Sequence, residues 1–119
     1  MNKQHIVVSL RVPAFHNWPG APDADIAFLR DRHRHEFWIK ATKIVNHDDR
    51  DIEIIRFKTQ LLSFLHLKYG PKADTLAGHL ELGSTSCEQL AGLLIEAFDL
   101  SSCEVLEDGE NGAFIEVSE

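Results

Sequence analysis

The chain has 119 residues, 44% hydrophobic and 26% charged, with a net charge of −7 and an isoelectric point near 5.4. These values suit one globular domain spanning residues 1–119, large enough to fold without a disulfide or structural metal. The 12 lysines and arginines are scattered, which argues against a nucleic-acid partner; with no leader-like segment and no run of about 18 apolar residues, no membrane partner and a cytoplasmic location are expected.

Residues 6–15 carry β-branched side chains in partial alternation and predict a first strand ending near His16, with Pro13 limiting its use as a central strand. Pro19, Gly20 and Pro22 mark a loop, followed by a short helical turn over residues 24–29. Residues 33–45 alternate Phe37, Ile39 and Ala41 against Trp38, Lys40 and Thr42, which predicts a second strand with both faces partly covered. Ile54, Ile55, Phe57, Leu61, Leu62 and Leu65 recur at amphipathic spacing, predicting a helix over residues 51–67 that Gly70 and Pro71 close.

Residues 72–83 show no sustained period and read as a loop with a helical turn. Beyond them, hydroxyl residues 84–86 stand before Leu90, Ala91, Leu94, Ile95 and Phe98, so a second helix starts from a cap near Thr85 and ends near Leu100. Residues 103–107 and 113–117 flank a polar tract with two glycines and predict a hairpin. The order is β-β-α-α-β-β: an α+β, two-layer fold with a four-stranded antiparallel sheet, two helices on one face and the other face in need of a partner. Cys87 and Cys103 form no CxxC pair and read as small buried apolar groups.

Of the seven histidines, His33 and His35 matter most, because one intervening residue puts both side chains on the same side of a strand, about 7 Å apart at Cα. Antiparallel pairing of the first two strands delivers His16 to them. Three imidazoles with one open position suit a catalytic zinc. Taken alone, His-x-His also fits a solvated strand start beside Arg30, Asp31, Arg32 and Arg34.

Read in order, the chain resembles the tunnelling-fold family that includes 6-pyruvoyl-tetrahydropterin synthase and the 6-carboxytetrahydropterin synthase of queuosine biosynthesis. The likeness rests on residues 13–16 (Pro-Ala-Phe-His), on His33-Arg34-His35 against the family's His-Gly-His, on residues 53–58 (Glu-Ile-Ile-Arg-Phe-Lys), on residues 85–91 (Thr-Ser-Cys-Glu-Gln-Leu-Ala), and on Val105-Leu106-Glu107. The resemblance implies Zn2+ held by His16, His33 and His35, and a pterin- or purine-like ligand anchored by Glu107, with Glu110 as the reserve choice. It further implies a homo-oligomer, a hexamer built as a dimer of trimers.

Two family features are missing. Leu29 stands where the synthases carry a catalytic cysteine, and Asp74 is followed by Thr75 where an Asp-His pair is usual. Proton removal from carbon needs a positioned base, for which His79 is the candidate, with His47 and Asp31 behind it. Three functions follow: a divergent zinc-dependent lyase or synthase acting on a dihydroneopterin-triphosphate-like compound, a non-catalytic homologue that binds a pterin- or purine-like ligand or serves in assembly, and a metal-free interaction domain.

Overall fold

In the computed structural model, which describes residues 2–70 and 78–118, alternation of apolar side chains builds two long strands first. β1 (Gln4–His16) turns Val8, Leu10, Val12 and Ala14 into the core, and β2 (His33–Val45) adds Phe37, Ile39 and Ala41 on the same face. They pair antiparallel without a slip, Gln4 opposite Val45 and His16 opposite His33. The connection between them contains a short 3-10 helix, Ala24–Arg30.

Two helices cover that face. α1 (Ile54–Tyr69) buries Phe57, Leu61 and Leu65, and it begins where the Glu53 carboxylate accepts the backbone N–H groups of Ile55 and Arg56 at 2.8 and 3.0 Å. α2 (Cys87–Phe98) buries Cys87, Leu90, Ala91 and Leu94. Its cap is Ser86, one residue beyond the expected Thr85, in a reciprocal box: Gln89 N–H donates to Ser86 Oγ at 3.1 Å and Ser86 N–H to Gln89 Oε1 at 2.9 Å. Ser86→Ala should lower stability by about 1 kcal/mol, measured by denaturant unfolding.

The hairpin follows as β4 (Ser102–Glu107) and β5 (Asn111–Glu116), with β4 also antiparallel to β2. The expectation of four antiparallel strands needs correction. A fifth strand, β3 (Leu80–Gly83), runs parallel to β1 beside Ala14–His16, giving the mixed order β3-β1-β2-β4-β5. Leu80 and Leu82 are buried on either side of Glu81, so part of the stretch read as loop is strand; residues 71–77, which include Pro71 and the start of that stretch, lie outside the described residues. β1 ends at His16 as expected, but Pro13 does not keep it from the interior of the sheet, where β1 lies between β3 and β2.

Among the described residues the architecture is thus α+β, with one mixed five-stranded sheet and three helices counting the 3-10 segment. The sheet face away from the helices exposes Val7, Ile44 and Phe114 and stacks the Arg11 guanidinium 3.8 Å above the Trp38 ring. No described helix is long and apolar enough to cross a membrane.

Candidate metal centre

The ends of three strands meet at one edge of the helix-covered face. His16 is the last residue of β1, His33 and His35 open β2, and Glu107 closes β4. Strand alternation sends all four toward the helices, because His16 follows Ala14, His35 precedes Phe37 and Glu107 follows Val105 on the core face. The buried Phe37 ring forms a floor, edge-on to His16 at 5.1 Å and to His35 at 5.9 Å.

The three imidazoles sit edge-to-face, with centroids 4.6 Å apart for His16 and His33, 5.0 Å for His33 and His35 and 5.4 Å for His16 and His35. Each offers one ring nitrogen, all within 4.8 Å of one another, an arrangement that could hold a metal ion. The Nδ1 contacts decide which nitrogen faces inward. His16 Nδ1 lies 3.2 Å from the Thr85 carbonyl oxygen, His33 Nδ1 lies 2.8 Å from that of Asp31, and His35 Nδ1 lies 2.7 Å from Asp108 Oδ2. Those partners only accept, so each neutral ring keeps its proton on Nδ1 and turns a bare Nε2 lone pair to the centre. All three Nε2 atoms are buried, and among the described residues none gives them a hydrogen bond. Buried lone pairs left unsatisfied in a cluster are a cost that a bound cation removes.

Asp108 is the support that sequence reading missed. It opens the β4–β5 turn, where Asp108 and Gly109 have φ of 56° and 73°, consecutive positive values as a type I′ turn requires. That conformation swings its carboxylate back to β2: Oδ2 takes His35 and Oδ1 takes the Glu36 N–H at 2.9 Å, while Asp108 N–H donates to the Glu36 carbonyl at 2.7 Å. These bonds, the Glu36 amide first and then His35, hold the Asp108 pKa below its ordinary value. Asp108→Asn leaves only one carbonyl oxygen for two donors, so metal affinity should fall about 10- to 100-fold by chelator competition.

Glu107 stands with Oε2 3.1 Å from His16 Nε2 and Oε1 3.6 Å from His35 Nε2, its side chain 30% exposed. Contact with His16 outweighs burial and, together with the charges of the three imidazoles, lowers the Glu107 pKa. Burial works against a charged His16, whose side chain is 11% exposed, but Glu107 and the Thr85 carbonyl overcome it and raise the pKa. The signs give a pH window for the metal-free protein. The His16 contribution to stability is complete below the unfolded histidine pKa and fades as pH rises through the higher folded value; the Glu107 contribution is present above the unfolded carboxylate pKa and fades as pH falls through the lower folded value. Metal-free protein should therefore gain most from this pair at roughly pH 5–6, whereas metal affinity should increase toward neutral pH as protons leave the nitrogens. Thermal melts across pH with and without metal check both.

A cleft of about 520 Å³ adjoins the cluster, lined by His16, Trp18, Leu29, His33, Cys87 and Glu107 among others. Cys87, the first residue of α2, interacts with Glu107 through its thiol; burial first, and then the Glu107 and Glu88 charges, push its pKa up to about 12. It is a neutral thiol at physiological pH.

His79 is not brought to this cluster. Its ring stacks on Phe15 at 5.5 Å and its Nε2 accepts from Arg34 Nε at 2.9 Å, and both partners project from the sheet face opposite the triad by strand alternation. Glu110 is exposed at the hairpin tip, and His47 pairs with Asp51 beyond the far end of β2. Asp31 takes part through its carbonyl oxygen, as the partner of His33.

Protein-family models, when scanned, give no match to this chain, and a search of curated proteins finds none either.

Proposed function

We propose that this protein is a divergent, zinc-dependent relative of 6-pyruvoyl-tetrahydropterin synthase with a tunnelling fold, working in the cytoplasm on a dihydroneopterin-triphosphate-like or related pterin. The single observation that carries the reading is the set of three buried Nε2 lone pairs on His16, His33 and His35, each ring fixed by an acceptor at Nδ1. Three imidazoles are a donor set that zinc favours. When bound, zinc supplies Lewis-acid polarisation of a substrate oxygen.

The chain's own residues do the rest. Trp18 and Leu29 give the cleft an apolar wall for a flat ring, and Glu107 offers a carboxylate to the paired N–H donors of a pterin edge. The exposed Val7, Ile44 and Phe114 on the uncovered sheet face favour assembly into the homo-oligomer, a hexamer in this reading.

One observation favours a second reading, a ligand-binding homologue without turnover. Leu29 lines the cleft where the family's synthases carry a cysteine, Cys87 is held as a thiol, and His79 lies across the sheet. Protein purified without chelator separates these outcomes by its metal content and by its turnover of dihydroneopterin triphosphate, followed by absorbance. Stoichiometric zinc with turnover supports the enzyme, and zinc without turnover supports the binding protein. Absence of metal in both purified and zinc-supplemented protein overturns the zinc-dependent enzyme and leaves the binding homologue to be judged by ligand titration.

A further inference from the structure

The carboxylate of Glu107 is placed where no proton-free arrangement leaves it at ease. Its Oε2 approaches a ring nitrogen of His16 whose lone pair points inward, at 3.1 Å, and its Oε1 approaches that of His35 at 3.6 Å. Negative oxygen and bare nitrogen repel at this range unless a cation lies between them. A single proton can serve only one such pair of atoms; a cation held by the histidines can serve both pairs at once.

The Glu107 distances to His16 and His35 agree with that second arrangement. Ligand atoms bound tetrahedrally at about 2.0 Å stand about 3.3 Å from one another, a value the two Glu107 contacts bracket. The backbone also aims the group: Glu107 is paired with Phe37 of β2 on one side and Asn111 of β5 on the other, so its side chain is presented from between two strands.

Resting on the metal reading above, we propose that Glu107 is a fourth protein ligand, closing the coordination sphere that the three histidines begin. Three neutral imidazoles and one carboxylate carry a single negative charge, suited to a divalent ion in a partly buried site. The resting centre is then closed, and a substrate reaches the metal by displacing Glu107. The displaced carboxylate lies beside the cleft, free to accept hydrogen bonds from the ligand that displaced it.

Cobalt(II) loaded into chelator-treated full-length protein reports the donor set through its visible absorption, with no turnover required. Wild-type protein should take up one equivalent, give a four-coordinate spectrum and show no change on adding azide, since no exchangeable position is open. Glu107→Gln should still bind one equivalent, but with a shifted, azide-sensitive spectrum and with zinc affinity lowered at least about tenfold, the lesser loss associated with merely supporting groups. Glu107→Asp, which keeps the charge but withdraws it by one methylene, should likewise become azide-sensitive. An azide-sensitive wild type, or variants with wild-type spectrum and affinity, would overturn the fourth ligand while leaving the three-histidine centre standing. Wild-type protein that takes up neither ion would remove the centre itself and this proposal with it.

Discussion

His33→Ala should abolish stoichiometric metal binding, with zinc affinity reduced by more than the roughly 100-fold upper range seen for loss of a supporting partner. Only two imidazoles and Glu107 would remain, and His33 is the ring whose centroid lies closest to that of His16. The effect should also be visible as lost ligand-linked stability. A metal present at about 100 times its dissociation constant stabilises the native chain by about 2.7 kcal/mol, and His33→Ala should show no metal-dependent rise in Tm. Its metal-free stability should change much less, because the substitution removes an unpaired buried nitrogen along with the satisfied Nδ1–H bond to Asp31. Calorimetric titration and paired melts measure both quantities. A variant that keeps full metal stabilisation would deny His33 a place among the ligands.

Gly112→Ala should be the most damaging small substitution in the hairpin. A Cβ there would lie 1.8 Å from the Val105 carbonyl oxygen and 2.8 Å from Leu106 Cα. These are backbone atoms of the neighbouring strand, so no side-chain rotation relieves the overlap and the β4–β5 pair must separate. Overpacking of this severity corresponds to about 3 kcal/mol, or roughly 10–15 °C in Tm for a domain of this size. Gly112 is paired with Leu106, next to the Glu107–Asn111 pair, so the displacement should reach the metal centre and weaken metal binding as well. Melting without metal and chelator competition with it separate the two effects. Unchanged stability would mean that the strands tolerate a much wider spacing than the structure has.

Several features of the site were readable before any coordinates. One-residue spacing put His33 and His35 on a common face, and the antiparallel return of the first two strands brought His16 opposite His33, as the register has it. Both long helices and the hairpin also stood where periodicity and turn residues put them, within a few residues. β3 escaped because Leu80, Glu81 and Leu82 make too short an alternation to distinguish strand from loop. That omission concealed a part of the site, since β3 leads into the turn whose Thr85 carbonyl orients His16.

The amino-acid order by itself determined the mixed α+β character, the succession of most elements and the same-sided histidines, because side-chain period and capping chemistry act over a few neighbouring residues. Only the tertiary structure decided that β3 joins the sheet parallel to β1, that Asp108 orients His35, that Glu107 lies against the imidazoles, and that His79 lies behind the sheet. Each of these depends on which distant strands pair and on the left-handed backbone at the hairpin turn. Such contacts join residues 45 to 91 positions apart, beyond the reach of any local pattern.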